Sequence, residues 1–380
     1  MALNDWASEV SSLVGQFQAC EQLVAEVEQH AESIMDKVNV YGSMLHTFVY
    51  QGDWHAAIKM ALPVLDALGT SLPAKPTQHD IEQQFAQLQS ILAYINVDSL
   101  AELPDMTDPH KMSAMRLLQF LWSFSSISEP QLAPMIAMEM IMLSIKHGNT
   151  PESAFGYACF GVFLHGEQDE LNEASEFGLL AARLLDRPDA MYKGRTSVMV
   201  WTFLIHGKQH LKNVVGPLLE TFTIGVENGD IEYAAWAVNN ASMADIFIGK
   251  ELSALKVEME GFIEPLLKMN QNLGALRLQA YTQTVSNLLD YSENPSCLIG
   301  EYFDEDKSRP YLLSINVGVI LFELYLCKLM LSYLFEEYRA CADSVESIEQ
   351  YLPNVAGNSM NPVYYLYTSL AKTMVYADSS

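Results

Sequence analysis

The stretch Asp53-Trp54-His55-Ala56-Ala57-Ile58-Lys59-Met60-Ala61-Leu62-Pro63-Val64-Leu65-Asp66-Ala67-Leu68-Gly69 carries the pattern that decides the fold class. Trp54, Ile58, Ala61, Leu65 and Leu68 are spaced by four, three, four and three residues. That spacing places all five on one face of a helix. Asp53 is suited to cap the N-terminus, because its carboxylate accepts from a free backbone N–H, and Gly69 is suited to end the helix. Pro63 removes one backbone hydrogen bond and predicts a bend.

The same start and stop signals recur along the chain. Asp108-Pro109 predicts a cap followed by a proline in the first turn, and Thr150-Pro151 repeats the logic after His147-Gly148 closes a helix. Gly216-Pro217 predicts a break between two helices, and Gly229-Asp230 predicts another start. No stretch alternates convincingly with period two, and no Asn-Gly or Asp-Gly turn joins two alternating segments, so strands are not expected. The least regular stretches are 69–79, 96–108 and 291–309. The last is acidic (Glu301, Asp304, Glu305, Asp306) and predicts a mobile loop.

Some helix pairs read as degenerate copies of one unit. Tyr41, Leu45 and Phe48 lead to Gly52-Asp53, with Ala57 five residues after the glycine; Gly229-Asp230 is followed by Ala234 at the same distance. A weaker copy runs from Leu329 through Glu336 to Ala340. The glycine makes a tight turn, and the small alanine lets two helices approach, which is the logic of tetratricopeptide-like units. Such units cannot bury their apolar faces alone, so neighbours must stack. The fold class expected is all-α: an irregular, tetratricopeptide-like α-solenoid of stacked antiparallel helix pairs. One helical-repeat domain spans 1–380, with leading helices over 1–37, helix pairs over 38–290, the acidic loop over 291–309 and C-terminal pairs over 310–380.

Charge excludes several functions. With 21 Lys+Arg against 47 Asp+Glu, the chain of 380 residues carries a formal charge of −26. Nucleic acid and anionic membrane surfaces both demand a basic footprint. An apolar content of 50% is too high for a disordered acidic tail. The stretch Tyr311–Phe335 is apolar enough to mimic a membrane span, but Glu323 and Lys328 fall near its middle. Each would cost about 2.5–3.5 kcal/mol at a bilayer centre, so a buried helix is the better reading. The five cysteines (Cys20, Cys159, Cys297, Cys327, Cys341) form no C-x-x-C and predict buried thiols in a reducing compartment. Met1–Val10 lacks the basic and apolar regions of a signal peptide, so a cytoplasmic location is expected.

Catalytic motifs are missing. The chain has no phosphate loop, no G-x-G-x-x-G, no G-x-S-x-G and no H-E-x-x-H. His206 and His210 are four apart, but Gly207 between them predicts a helix break rather than a shared metal. No cofactor is expected. The richest polar and aromatic region is 192–240, with Tyr192, Lys193, Arg195, Trp201, His206, Tyr233, Trp236, Asn239 and Asn240. Aromatics interspersed with a few polar groups suit a concave binding face, for a partner or a ligand; helix-core packing is the competing reading. The run Met135, Met138, Met140 and Met142 reads as helix core.

Several longer runs carry a resemblance. They are Asp36-Lys37-Val38-Asn39-Val40-Tyr41, Gln51-Gly52-Asp53-Trp54-His55-Ala56-Ala57, Leu68-Gly69-Thr70-Ser71-Leu72-Pro73, Leu103-Pro104-Asp105-Met106-Thr107-Asp108-Pro109 and His147-Gly148-Asn149-Thr150-Pro151-Glu152-Ser153-Ala154. Glu176–Ala181, Asn228–Ala235 and Tyr364–Leu370 continue it. On these, residues 20–380 resemble the tetratricopeptide-like helical region of large bacterial and fungal signalling proteins. In that family a serine/threonine-kinase-like domain and a predicted AAA/STAND-type ATPase precede the helical region, and a GAF domain and often a histidine kinase follow it. Gly207 departs from the pattern, where relatives tend to carry Trp. The resemblance implies a piece of a larger protein or a stand-alone descendant, with no catalytic residue in this region. It implies a non-enzymatic sensing or scaffolding module in signal transduction that binds a protein or a neighbouring domain. By its charge, the partner surface should be basic or apolar. The rival expectation is a small-molecule effector bound around 192–240.

Overall fold

The computed structural model describes residues 6–8, 10–11, 16–51, 53–168, 170–186, 193–290, 294–315 and 317–378. Every regular element among them is helical, and the only pairings of β type are isolated bridges, Asp105 with Asn149 and Ile299 with Asp304. The chain divides into two compact units, residues 1–163 with 176–191, and residues 164–175 with 192–380.

In the first unit, α1 (Phe17–His30), α2 (Ile34–Gln51) and α3 (Trp54–Ala67) pack in succession. The helix α3 starts and stops where the sequence places its signals. The Asp53 carboxylate accepts from Ala56 N at 3.0 Å, and Gly69 has φ +73°. Ile58, Ala61, Leu65 and Leu68 are buried, as is Ala57, and the helix runs through Pro63. Then come α4 (Gln78–Leu92), α5 (Pro109–Ser128) and α6 (Leu132–His147), followed by α7 (Ser153–Glu167) and α8 (Leu171–Leu185), of which residues 164–175 count with the second unit. Asp108 caps α5 as expected, accepting from His110 N at 2.9 Å. The helix α7 begins at Ser153, two residues after Pro151; the Ser153 hydroxyl, rather than Thr150, accepts the bond, from Thr150 N at 2.9 Å. Met135, Met138 and Met140 are core. Aromatic contacts join α4, α5 and α8 to α7: Phe85 on Phe163, Trp122 on Phe155, and Phe177 on Phe160.

Two of the runs quoted above meet in this unit. Asn149 N donates to Pro104 O, and Met106 N donates to Asn149 O, both at 2.8 Å. The buried Asn149 side chain donates to Leu100 O at 2.7 Å and accepts from the Tyr157 hydroxyl at 3.0 Å. Gly148 has φ +99°, and a Cβ there would overlap the Pro104 carbonyl oxygen. Lys111 reaches back to the end of α3, donating to Leu68 O at 3.0 Å and Gly69 O at 2.5 Å. Leu103–Pro109 and His147–Ala154 act on each other's backbone, which makes them a clamp; Lys111 separately ties the end of α3 to α5.

The second unit contains α9 (Lys193–Met199), α10 (Lys212–Asn228), α11 (Ile231–Phe247), α12 (Leu252–Lys268), α13 (Asn272–Leu289), α14 (Glu305–Ile315), α15 (Gly318–Leu334), α16 (Tyr338–Glu349) and α17 (Met360–Asp378). Consecutive helices pair: α10 with α11, α12 with α13, α15 with α16. Alternate helices also stack, α9 on α11, α11 on α13, α13 on α15 and α15 on α17. Pairing with the next helix and stacking on the next but one is the solenoid arrangement. Gly225 and Ala234 permit the close approach of α10 and α11; a Cβ on Gly225 would lie 3.0 Å from the Ala234 Cβ.

Two expectations need correction. Gly216-Pro217 does not separate helices; α10 runs through Pro217. The proline costs one bond near the helix start, and burial of Val214 and Leu218 on either side outweighs it. The stretch 291–309 is not a loop to its end, because α14 starts at Glu305. Residues 291–293 lie outside the described residues. From 294 onward the segment is anchored: Leu298 and Phe303 are core, and Asn287 donates to Pro295 O at 2.9 Å and Cys297 O at 2.7 Å. Glu305 is buried and pairs with Lys328 at 2.6 Å. The acidic run therefore includes one residue that holds the segment down.

Within the apolar stretch 311–335, α15 is a buried core helix, and no helix among the described residues is long and apolar enough to cross a membrane. All five cysteines are free thiols. Burial pushes Cys327 up to about 12 and Cys341 up to about 11, so both stay protonated and unreactive near neutral pH.

Candidate functional site

A row of charged and aromatic side chains crosses the stacked helices of the second unit. It begins on α9, where the Arg195 guanidinium lies 3.3 Å from the Asp230 carboxylate and 5.0 Å from the centre of the Tyr233 ring. Asp230 sits just before α11, and Gly194 leaves room for it; a Cβ there would be 3.1 Å from Asp230 Oδ2. One turn beyond Tyr233, Trp236 carries the Arg277 guanidinium of α13 at 4.5 Å from its ring centre. Arg277 in turn grips Glu323 of α15 with two hydrogen bonds, Nε to Oε2 at 2.7 Å and Nη2 to Oε1. Arg277 is 3% and Glu323 2% exposed. The row thus links α9, α11, α13 and α15.

Electrostatics explain why it persists. Burial works against the Arg277 charge, and Glu323 more than restores it, so the guanidinium is held above its usual range. Burial, then Glu323, pushes the neighbouring Tyr281 hydroxyl well up. Tyr281 lies against this pair and lines a cavity of about one water molecule's size. Arg277, Tyr281 and Glu323 form its polar wall; Phe303, Leu312 and Leu324 are among its apolar lining. A bidentate Arg–carboxylate pair is a geometric lock. With both partners engaged, neither is set up as a general acid or base.

The residues singled out from sequence fall into three groups. Tyr192 lies outside the described residues. Arg195, Tyr233 and Trp236 belong to the row, and Trp201 packs beside Tyr233 and Trp236 on a core cluster that includes Val198, Val214 and Leu218. Asn239 is fully buried and donates to Ala235 O at 2.8 Å and Gly274 O at 3.1 Å; Asn240 beside it is half-buried. These groups tie α11 to its neighbours. His206 stands apart. Its ring is 5.6 Å from His165, whose Nδ1 lies 2.8 Å from Phe203 O. A π-helical turn, Val200–Leu204, and a 3-10 turn, Ile205–Gly207, precede the break. Burial, then His165, pushes His206 down to about 4. His210 is exposed, and its Nδ1 accepts from Lys212 N at 3.1 Å, so the two histidines do not converge.

Sequence reasoning missed Arg277, Tyr281 and Glu323. One signal was present: an acid within an apolar helix needs a buried partner. Its partner lies 46 residues away in sequence, beyond any spacing rule.

No family model matches the chain, and no curated protein matches it. Among solved structures, a circular tandem repeat protein with novel repeat topology and enhanced subunit contact surfaces is similar over 98% of this chain and 97% of that chain, at 11% identity and a TM-score of 0.22. A likeness at that score carries no argument, and the all-helical assignment rests on the helices themselves.

Proposed function

We propose that this chain is a non-enzymatic helical-repeat scaffold that binds a protein or a neighbouring domain. The carrying observation is the row from Arg195 to Glu323: its charged and aromatic groups are spent on joining stacked helices. Large apolar side chains meanwhile stand open at Tyr311 and Leu313 of α14 and at Tyr365 and Leu366 of α17. Helices joined this way transmit a load at one face as small rotations along the stack. The resemblance to signalling proteins supports a finer reading, in which the scaffold relays its bound state to ATPase and kinase domains of a larger protein. With a charge of −26, the partner surface is basic or apolar.

Photo-crosslinking in cells tests this. A crosslinking residue placed at Tyr311 or Leu366 should trap one defined protein or domain, whereas one at Tyr94, 93% exposed on its own, should not. Equal, diffuse labelling at all three sites contradicts the scaffold reading.

A small-molecule effector around 192–240 retains one supporting observation, the π-helical turn at Val200–Leu204 beside the His165–His206 pair, because π-turns recur at functional sites. Its test is a thermal-shift screen against metabolites, where absence of stabilisation at high concentration counts against it.

A further inference from the structure

His165 and His206 both belong to the second unit, and the row of charged and aromatic groups does not include them. Their rings stand 5.6 Å apart, tilted by 42°. The surrounding backbone holds them there. His165 Nδ1 lies 2.8 Å from Phe203 O, an acceptor, so Nδ1 carries the ring proton and Nε2 its lone pair. Gly357, at φ +71°, lies against the same ring; a Cβ there would be 3.2 Å from His165 Nδ1. Ser175 donates to Leu204 O at 3.3 Å, which ties the 164–175 stretch to the π-turn a second time. Gly207, next to His206, sits flush against Leu171, since a Cβ there would overlap Leu171 Cδ1. On His206, Nδ1 is buried, and the Thr202 carbonyl one turn earlier favours a proton on the ring. A backbone carbonyl behind each imidazole is the arrangement that orients metal-binding histidines. The Thr202 hydroxyl is buried and has no hydrogen-bond partner, a costly state for a hydroxyl that nothing else meets.

We propose that His165 and His206 bind one divalent transition-metal ion through their Nε2 atoms. The spacing fits: an ion about 2.0–2.1 Å from each nitrogen holds two ring centres roughly 5–6 Å apart. Two neutral imidazoles select Zn2+ or Cu2+ over Mg2+ and Ca2+, which prefer oxygen. Among the described residues no third His, Cys, Asp or Glu joins them, so water completes the coordination. The Thr202 hydroxyl is the group to hold one such water. Burial, then His165, keeps His206 unprotonated at neutral pH, so no proton competes with the ion there. The net charge of −26 draws cations toward the chain. The bound ion would pin the π-turn to the 164–175 stretch. This site goes beyond the scaffold reading and does not depend on it.

Calorimetric titration of the full chain with ZnCl2 tests the site. One equivalent of Zn2+ should bind, and the unfolding midpoint should rise with Zn2+ concentration. His165→Ala and His206→Ala should each weaken that binding at least about tenfold. The double variant should bind no worse than either single one, because each alone already breaks the site. His210→Ala, at an exposed position outside the pair, should bind as the parent does. MgCl2 should give no saturable binding. Imidazole 1H–15N spectra of the parent chain supply a readout that needs no variant to fold: Zn2+ should move the Nε2 signals of His165 and His206 and leave those of His210 in place. Zn2+ binding that both pair variants retain, or that His210→Ala abolishes, overturns the proposal. So do His165 and His206 signals that stay unmoved at high Zn2+.

Discussion

The clamp around Asn149 and the row around Arg277 both hold together segments distant in sequence, by opposite chemistry. The clamp uses backbone groups and neutral side chains: Pro104, Met106, Asn149 and Tyr157 satisfy one another directly. The row uses buried charges that are tolerable only as pairs. A neutral clamp loses its own bonds when broken, whereas a broken charge pair leaves an ion stranded in the interior. The two regions should therefore fail differently.

The largest effect is expected in the row. Arg277→Met or Glu323→Leu alone should cost about 3–5 kcal/mol in urea unfolding, because each strands the other charge. The double variant should recover most of that loss. If it is as unstable as either single variant, the row is held by packing and the contrast with the clamp fails.

A pH titration sharpens the contrast next. In the second unit, His206 titrates near 4 when folded and near its ordinary value when unfolded. Between those values the unfolded chain binds the extra proton. Stability is thus complete above about pH 6.5 and falls by about 3 kcal/mol as pH drops to 4. In the first unit, burial raises Glu139 and Glu152, although Lys111 and Arg116 respectively offset part of it. Their contribution has the opposite sign: present at low pH and lost as pH rises through the folded values. Hydrogen exchange around His206 from pH 7 to 4 should show loosening as pH falls, and His206→Leu should flatten that profile.

In the clamp, Asn149→Ala should cost about 2–3 kcal/mol, since it removes the bond to Leu100 O and leaves the Tyr157 hydroxyl buried without its acceptor. The loss should not change with salt. The smallest effect is at Glu336, which adopts φ +63°, where glycine stands in the turn before α11. Glu336→Gly should raise the unfolding midpoint by about 2 °C.

The same contrast governs what could be read from sequence. The clamp lies in short runs, Leu103–Pro109 and His147–Ala154, whose glycine, prolines and caps have local meanings. The ends of α3 and the start of α5 were legible for that reason, as was the close alanine packing at Ala57 and Ala234. The row depends on residues 46 apart, Arg277 and Glu323, and no periodicity connects them. Gly216-Pro217 misled because helix-breaking propensity is a local quantity, whereas α10 is held by its packing on α11. The stretch 291–309 misled because Glu305 reads as surface until Lys328 is known to face it. Arg195, Tyr233 and Trp236 share a short span of sequence, but Arg277, which lies on Trp236, is on another helix, so the join between helices is not readable from that span.

The central claim is that the distinctive runs hold the fold and that exposed apolar faces meet the partner. Its most direct test measures the melting midpoint and the crosslinking yield at Leu366 on one set of variants. Gly148→Ala and Glu323→Leu should lower the midpoint, with full crosslinking retained wherever the fold remains. Tyr365→Glu should keep the midpoint and lose the crosslink. A clamp or row variant with an unchanged midpoint and no crosslink would mean that those residues touch the partner themselves and do not hold the fold.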